Sequence, residues 1–378
     1  MKKIPKLRFR EFEKEWEEKN LKNIATFSKG KLISKEDISE TGIECIRYGE
    51  LYTTYNEVIS NVVSKTNLNI SNLVLSEKND IIIPCSGETA MDIAKASCVI
   101  KSGVALGGDL NILKLKENGI FLSYYLNNKA KYQIASLAQG ASVVHLYEDH
   151  LKKLKVKIPN LKEQKKIADF LSSVDVKINL TENKLELLKE FKKGIMQKIL
   201  NQELRFKDEN GNDYPKWEKK KFNKVLKIGN GKDYKNLNVG EIPVYGTGGL
   251  ITKVNDFLYD GESVGIGRKG TINKPMFLTG KFWTVDTLFY TYDFKDSLPK
   301  FIYYIFNNID WLTYNEATGV PSLSKSTILK ISNFFPCLEE QQKIADFLSS
   351  IDNKIEKISS KLEELKEFKK GLLQQMFV

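Results

Sequence analysis

The chain carries little of the chemistry that catalysis or metal binding usually draws on. Its 378 residues include four cysteines and two histidines. Cys45, Cys85, Cys98 and Cys337 form no Cys-x-x-Cys pair, so neither a zinc site nor a disulfide framework is indicated. His145 and His150 are five apart and would not share a helix face as a ligand pair. No apolar run approaches 18 residues, and Met1-Lys-Lys-Ile-Pro-Lys6 has no hydrophobic stretch behind it. We therefore expect neither a membrane span nor a signal peptide, and a reducing cytoplasm as the compartment. A Gly-x-x-x-x-Gly-Lys-[Ser/Thr] loop is missing, as is any Asn-Pro-Pro-Tyr-like or Asp-Pro-Pro-Tyr-like motif for amino methylation. These absences point away from chemistry by the chain itself, with no metal and no cofactor of its own.

Positive charge and repetition are what the sequence does have. The net charge of +11 suits a polyanionic partner. Residues 159–200 return without a gap as 336–377, 177 positions later, with 26 of 42 positions identical. Both copies read as one long helix whose apolar positions advance by alternating steps of four and three, the pattern of a coiled-coil seam. The seam comprises Ile167, Leu171, Val174, Ile178, Leu185 and Leu188 in the first copy, and Ile344, Leu348, Ile351, Ile355, Leu362 and Leu365 in the second. Lys192 and Lys369 fall on it as well, and the neighbouring Phe191 and Phe368 are expected to cover it in their place. Pro159 and Pro336 mark the helix starts, and Asn160 with Glu163 makes a capping box in the first. A helix of roughly 38 residues is about 57 Å long. Parallel pairing would stretch residues 201–217 almost fully at about 3.3 Å each, so an antiparallel pair is expected.

The opening of the chain is repeated too. Leu7-Arg-Phe9 and Trp16-Glu17 return as Leu204-Arg-Phe206 and Trp217-Glu218, with an extra turn around Asn210–Pro215. The duplicated unit is therefore an opening segment, a globular domain and a helix. Strands are expected at Ile43–Tyr48, Val58–Val63, Asp80–Pro84, Ala96–Lys101 and Asn111–Leu115, and then at Ile242–Tyr245, Ser263–Ile266, Met276–Thr279 and Thr287–Tyr292. Phe121–Leu137 and Lys300–Asn308 read as helices. The interiors diverge while their borders agree, as in two similar modules reading two different targets.

Gly265-Ile-Gly-Arg-Lys-Gly270 matches a dinucleotide fingerprint, but such a motif must open a helix, and Pro275 opposes one here. It reads better as a turn presenting Arg268, Lys269 and Lys274, with Pro84-Cys-Ser-Gly-Glu88, and so Ser86, as its first-domain counterpart. A second pair of loops, Ala138–Leu146 and Ala317–Ser324, offers Gln139, Ser142, Thr318 and Ser322 as donors to phosphates or base edges. Lys29, Lys31, Arg47 and Tyr48 in the first domain, and Lys232, Tyr234 and Tyr245 in the second, complete the candidates for DNA contact.

The segments Pro5-Lys-Leu-Arg-Phe9, Gly319-Val-Pro-Ser-Leu-Ser324, Pro159-Asn-Leu-Lys-Glu-Gln-Lys-Lys-Ile-Ala168 and Pro336-x-Leu-Glu-Glu-Gln-Gln-Lys-Ile-Ala345 resemble those of specificity subunits of type I restriction-modification systems. One departure is Gly140-Ala-Ser-Val143, where the second domain has Gly-x-Pro-Ser. The resemblance implies an α+β fold in which target recognition domains (1–158 and 201–335) alternate with conserved helical regions (159–200 and 336–378), pseudo-two-fold, around an antiparallel intramolecular coiled coil. It implies double-stranded DNA, two methyltransferase subunits and restriction/translocase subunits as partners. The partners, not this chain, would use S-adenosylmethionine, ATP and Mg2+, the first for methylation at adenine N6. An adaptor binding only protein is the alternative reading of the repeat.

Overall fold

The computed structural model describes residues 4–31 and 33–378. Mixed α and β structure divides into two compact units, 1–182 with 361–378, and 183–360. Each unit holds one globular domain and a stretch of each long helix, Leu161–Leu200 and Leu338–Gln375.

Within the first unit the domain is built on a five-stranded sheet ordered Ala25–Lys29, Leu110–Leu115, Asp80–Pro84, Ser97–Val99 and Val58–Ile59. A four-stranded sheet lies beside it, ordered Ala105–Leu106, Ile43–Ile46, Ser64–Thr66 and Ile38–Ser39. Asp80–Pro84 reads as an apolar run because all five of its residues are buried. The strand expected over Val58–Val63 ends at Ile59: Val63 is exposed, and its N–H turns to the Tyr55 hydroxyl at 3.0 Å. The helix expected over Phe121–Leu137 is two helices, Gly119–Asn128 and Lys131–Ser136. Near the end of the first helix the Asn127 side-chain amide both accepts from and donates to the Ala96 backbone at 2.8 Å. Asn118 caps that helix by accepting from the Phe121 N–H at 2.8 Å. Asn118→Ala should lower the stability of this unit by about 1 kcal/mol, read as a shifted midpoint for its transition in urea unfolding.

The second domain repeats the plan with different contents. One sheet is ordered Lys227–Asn230, Leu288–Tyr292, Ser263–Gly267 and Met276–Leu278; the other is ordered Gly249–Val254, Val239–Gly246, Lys281–Thr284 and Tyr259–Asp260. Pro299–Asn308 is the helix that matches Gly119–Asn128.

The borders of the two units agree bond for bond. Glu17–Asn20 pairs antiparallel with Lys155–Ile158, and Glu218–Lys221 pairs with Ser332–Phe335 in the same register. Arg8 forms a two-pronged ion pair with the fully buried Glu163 (2.7 and 2.8 Å), which also accepts from the Trp16 indole at 3.2 Å. Arg205, Glu340 and Trp217 repeat this clamp at 3.2, 2.6 and 2.9 Å. The bonded carboxylate holds both guanidinium groups above their ordinary pKa. Asn160 does cap the Glu163 N–H at 3.1 Å, but the return half of the expected capping box is not made, because the Glu163 side chain belongs to the clamp. Gln164 bonds Pro159, Asn118 and Glu117, and Gln341 bonds Pro336, Leu298 and Asp296.

In each unit the two helix stretches run antiparallel. Glu182 and Asp175 meet Lys366 and Lys369 in the first unit, and Lys192 meets Asp352 in the second. Ile167, Leu171, Val174, Ile178, Leu185, Ile344, Leu348, Ile351, Leu362 and Leu365 are buried, with Leu188 and Ile355 partly so. The expectation for the seam lysines is reversed: Phe191 and Phe368 are about half exposed (53% and 52%), and the lysines turn inward. Lys369 reaches Asp175 at 2.8 Å and Glu57 at 3.1 Å over the Tyr124 ring, and Tyr124 donates to Asp175 at 2.5 Å. Lys192 lies over the Tyr304 ring while Tyr304 donates to Asp352 at 2.8 Å. Such charges can be buried only because partners surround them.

Candidate nucleic-acid interface

The two loop pairs singled out in the sequence are joined by backbone hydrogen bonds in both domains. In the second, the Leu323 N–H donates to the Arg268 carbonyl at 2.9 Å, the Gly270 N–H to Pro321 at 2.8 Å, and Lys269 pairs with Ser322. In the first, the Leu146 N–H donates to Cys85 at 2.8 Å, and Ser86–Gly87 pairs with Val144–His145. Each loop closes on itself in the same way, Gln139 N–H to His145 and Glu316 N–H to Ser322, both at 3.0 Å. Each turn also donates a bond to the adjacent strand region, Cys85 N–H to the Asp109 carbonyl at 2.7 Å and Arg268 N–H to the Thr287 carbonyl at 2.8 Å.

These bonds fix which residues correspond. Leu146 matches Leu323 and Gln139 matches Glu316, so the repeat spacing of 177 persists upstream of Pro159 where residue identity has faded. Gly140 therefore stands opposite Ala317 rather than Gly319, and the missing Gly-x-Pro-Ser pattern does not alter the backbone frame. Gly140 is required for its own reason: φ is +129°, and a Cβ there would collide with the Val143 carbonyl. The fingerprint-like glycines end a strand at Gly267 and continue into a turn rather than a helix.

Around the second frame lies a cleft lined by Asn230, Arg268, Lys269, Phe289, Ser322 and Lys325, among others, with no carboxylate in its lining. Burial, and then the Arg268 charge, hold the Lys325 ammonium below its ordinary pKa. Glu316 beside it accepts from Ser324 and Thr327. Thr318 and Lys274 are exposed nearby in the chain, on the loop and just after the turn. Lys232, Tyr234 and Tyr245 are not gathered into this cleft. The Lys232 carbonyl accepts from the Trp283 indole at 2.8 Å, Tyr234 packs on the core of the other sheet, and Tyr245 is a half-buried strand residue there.

The first-domain frame has a different surface. Ser86 is buried and donates to Asp109 at 3.2 Å, while Gln139 and Ser142 are exposed on the joined loop. Asp109 also lines a recess with Arg47 and Tyr48, which brings these candidates to one side of the domain. Arg47 is engaged there, its guanidinium on Glu50 at 3.2 Å. Lys29 ends its strand opposite Asn111, the position Asn230 takes opposite Phe289 in the second domain. Lys31 is exposed, anchored by its N–H to Leu106 at 3.0 Å. Burial pushes the Cys85 thiol up to about 11, so it is no nucleophile near neutral pH. Sequence reasoning missed His145 and Tyr147. Both are exposed, with rings stacked 6.2 Å apart, and His145 occupies the position of Ser322. The signal for them is the repeat spacing, which sets His145 opposite Ser322. Among the described residues no helix is long and apolar enough to cross a membrane.

Comparison with known proteins gives this arrangement a lineage. The model of the type I restriction modification DNA specificity domain matches residues 13–190 and again 214–367. The chain is 26% identical over 380 residues to the type I restriction enzyme MjaVIII specificity subunit of Methanocaldococcus jannaschii, covering 86% of this chain and 84% of that one. It is 24% identical over 413 residues to the putative MjaX specificity subunit of the same organism, covering 96% and 93%. The fold is similar to that of the S subunit of a type I restriction-modification system from M. genitalium, with a TM-score of 0.72, 17% identity and 99% of each chain covered. With the domain matched twice over most of its length, this chain belongs to the family of type I restriction-modification specificity subunits.

Proposed function

We propose that the chain is the non-catalytic DNA sequence-recognition subunit of a type I restriction-modification complex. It binds a bipartite, asymmetric target, with one half-site read by residues 1–158 and the other by 201–335, and the helical regions set the unread gap. It directs two methyltransferase subunits, acting at adenine N6, and the restriction/translocase subunits to that target. It holds no cofactor itself; S-adenosylmethionine, ATP and Mg2+ belong to the partners. The observation that carries this reading is one loop frame, built twice with the same backbone bonds and presenting different side chains. Equal frames with unequal surfaces suit two unlike half-sites.

Two measurements test it. Binding of the assembled complex to DNA should weaken steeply with salt, about a thousandfold or more between 50 and 200 mM where six or more phosphates are neutralised. Mapping of N6-methyladenine in cells expressing the chain with its methyltransferase, before and after exchange of residues 32–135, should show a split motif in which one half alone changes. A motif that survives the exchange intact would remove the first domain from readout. Methylation that never depends on the chain would favour an adaptor binding only protein.

A further inference from the structure

Resting on that reading, we infer that the joined loop pair is the DNA-contacting edge of both domains, and that its two versions work by different chemistry. In the second domain Arg268, Lys269 and Lys325 seat backbone phosphates. In the first, His145 and Tyr147, beside Asp109 and Glu148, discriminate base edges.

The argument runs through equivalent positions. Ser86 stands where Lys269 does, His145 where Ser322 does, and Asp109 where Thr287 does. Two residues beyond the matched leucines, Glu148 stands where Lys325 does, each opening a short helix, Glu148–Lys153 or Lys325–Lys330. The second frame thus gathers three cations around a cleft without a carboxylate in its lining, a surface that attracts phosphate irrespective of sequence. The first frame has Cys85, Ser86 and Glu148 in the places of those three cations and adds the acid Asp109, while its neutral Gln139 stands where the second frame has Glu316; Glu148 also holds Lys152 at 2.7 Å. Carboxylates repel phosphate but accept from the cytosine N4 amine, and an exposed imidazole and phenol offer donors to base edges. The His145–Tyr147 stack holds both rings out from the loop at little further entropic loss. Lys29, a cation beside this frame, lies where the second domain has the neutral Asn230.

The test uses the assembled complex and selection from a random double-stranded oligonucleotide pool, with binding followed against salt. The unsubstituted complex should select a split sequence. The pair H145A and Y147A should alter base preference in one half only and leave the salt slope within about 0.5 of its value. The pair R268Q and K325Q should weaken binding about tenfold or more and reduce the slope of log K against log salt by about 2, with base preference in the first half kept. The pair R268K and K325R, which retains both charges, should retain the slope, so a loss confined to the pair R268Q and K325Q is not a folding defect. A split sequence and salt slope unchanged by all of these substitutions would overturn the assignment of the loop frame while leaving the recognition role standing. Failure of the unsubstituted complex to select any split sequence would overturn the recognition role itself.

Discussion

Glu163→Ala should destabilise the first unit by about 3–5 kcal/mol, seen as a lower urea midpoint for its unfolding in the full chain. The carboxylate is fully buried, and the Arg8 side chain it holds is only 9% exposed. Truncation therefore leaves the Trp16 indole N–H buried without its acceptor and the Arg8 guanidinium without its counter-charge, with only the Lys14 carbonyl still accepting from it, and each such group carries a desolvation penalty. The matching Glu340→Ala should be milder, because the Arg205 side chain is 25% exposed and can recover water. Glu163→Gln should fall between Glu163→Ala and the unsubstituted chain, since a neutral amide oxygen still accepts but carries no charge. Equal losses for Glu163→Ala and Glu340→Ala would deny the difference assigned to Arg8 burial, and losses below about 1 kcal/mol would mean that the clamp behaves as a surface ion pair.

Lys369→Met should be the second large effect, about 3 kcal/mol or more on the same unit. It leaves Asp175 and Glu57 facing a methionine, with Tyr124 still donating to Asp175. Burial opposes the Lys369 ammonium, but Glu57 and Asp175 outweigh it and set the pKa above the ordinary lysine value. A cation whose folded pKa is raised stabilises the fold fully below the unfolded value, about 10.4, and loses that contribution as pH rises through the folded value. The advantage of the unsubstituted chain over Lys369→Met should thus be constant from neutral pH to about 10 and shrink above it. An advantage that instead vanishes toward neutral pH would exclude the lysine charge as its source. Lys192→Met should cost less, since Lys192 has the single carboxylate Asp352.

The repeat made the frame of this protein legible and concealed its contents. Helix lengths, the seam and the fully buried strand at Asp80–Pro84 follow from periodicity, because burial on one face or both leaves an apolar record. The inward turn of Lys192 and Lys369 left no such record. It depends on Asp175 and Asp352, which recur at the same spacing in both copies, and on tyrosines contributed by the globular domains. A clue was present, since an acid and a base were both kept in duplicate, but pairing them needed the register of the two antiparallel helices. The loop frame was hidden for a different reason. It is made of backbone bonds, which any side chain can satisfy, so His145 and Ser322 share a place without sharing chemistry. Arg47 shows the converse: a cation just beyond the strand Ile43–Ile46, already engaged by Glu50 three residues on.

The duplicated clamp has a genetic corollary. Arg8, Trp16, Glu163 and Gln164 have Arg205, Trp217, Glu340 and Gln341 as counterparts, and Asp175 and Lys192 have Asp352 and Lys369. A crossover between the two helix-coding stretches, wherever it falls, would yield a hybrid helix that still offers glutamate, glutamine, aspartate and lysine at the required intervals. Unequal exchange would then delete or add one domain with one helix in frame. Exchange at these matched stretches, identical at 26 of 42 positions, would thus keep the scaffold while the surfaces between them change.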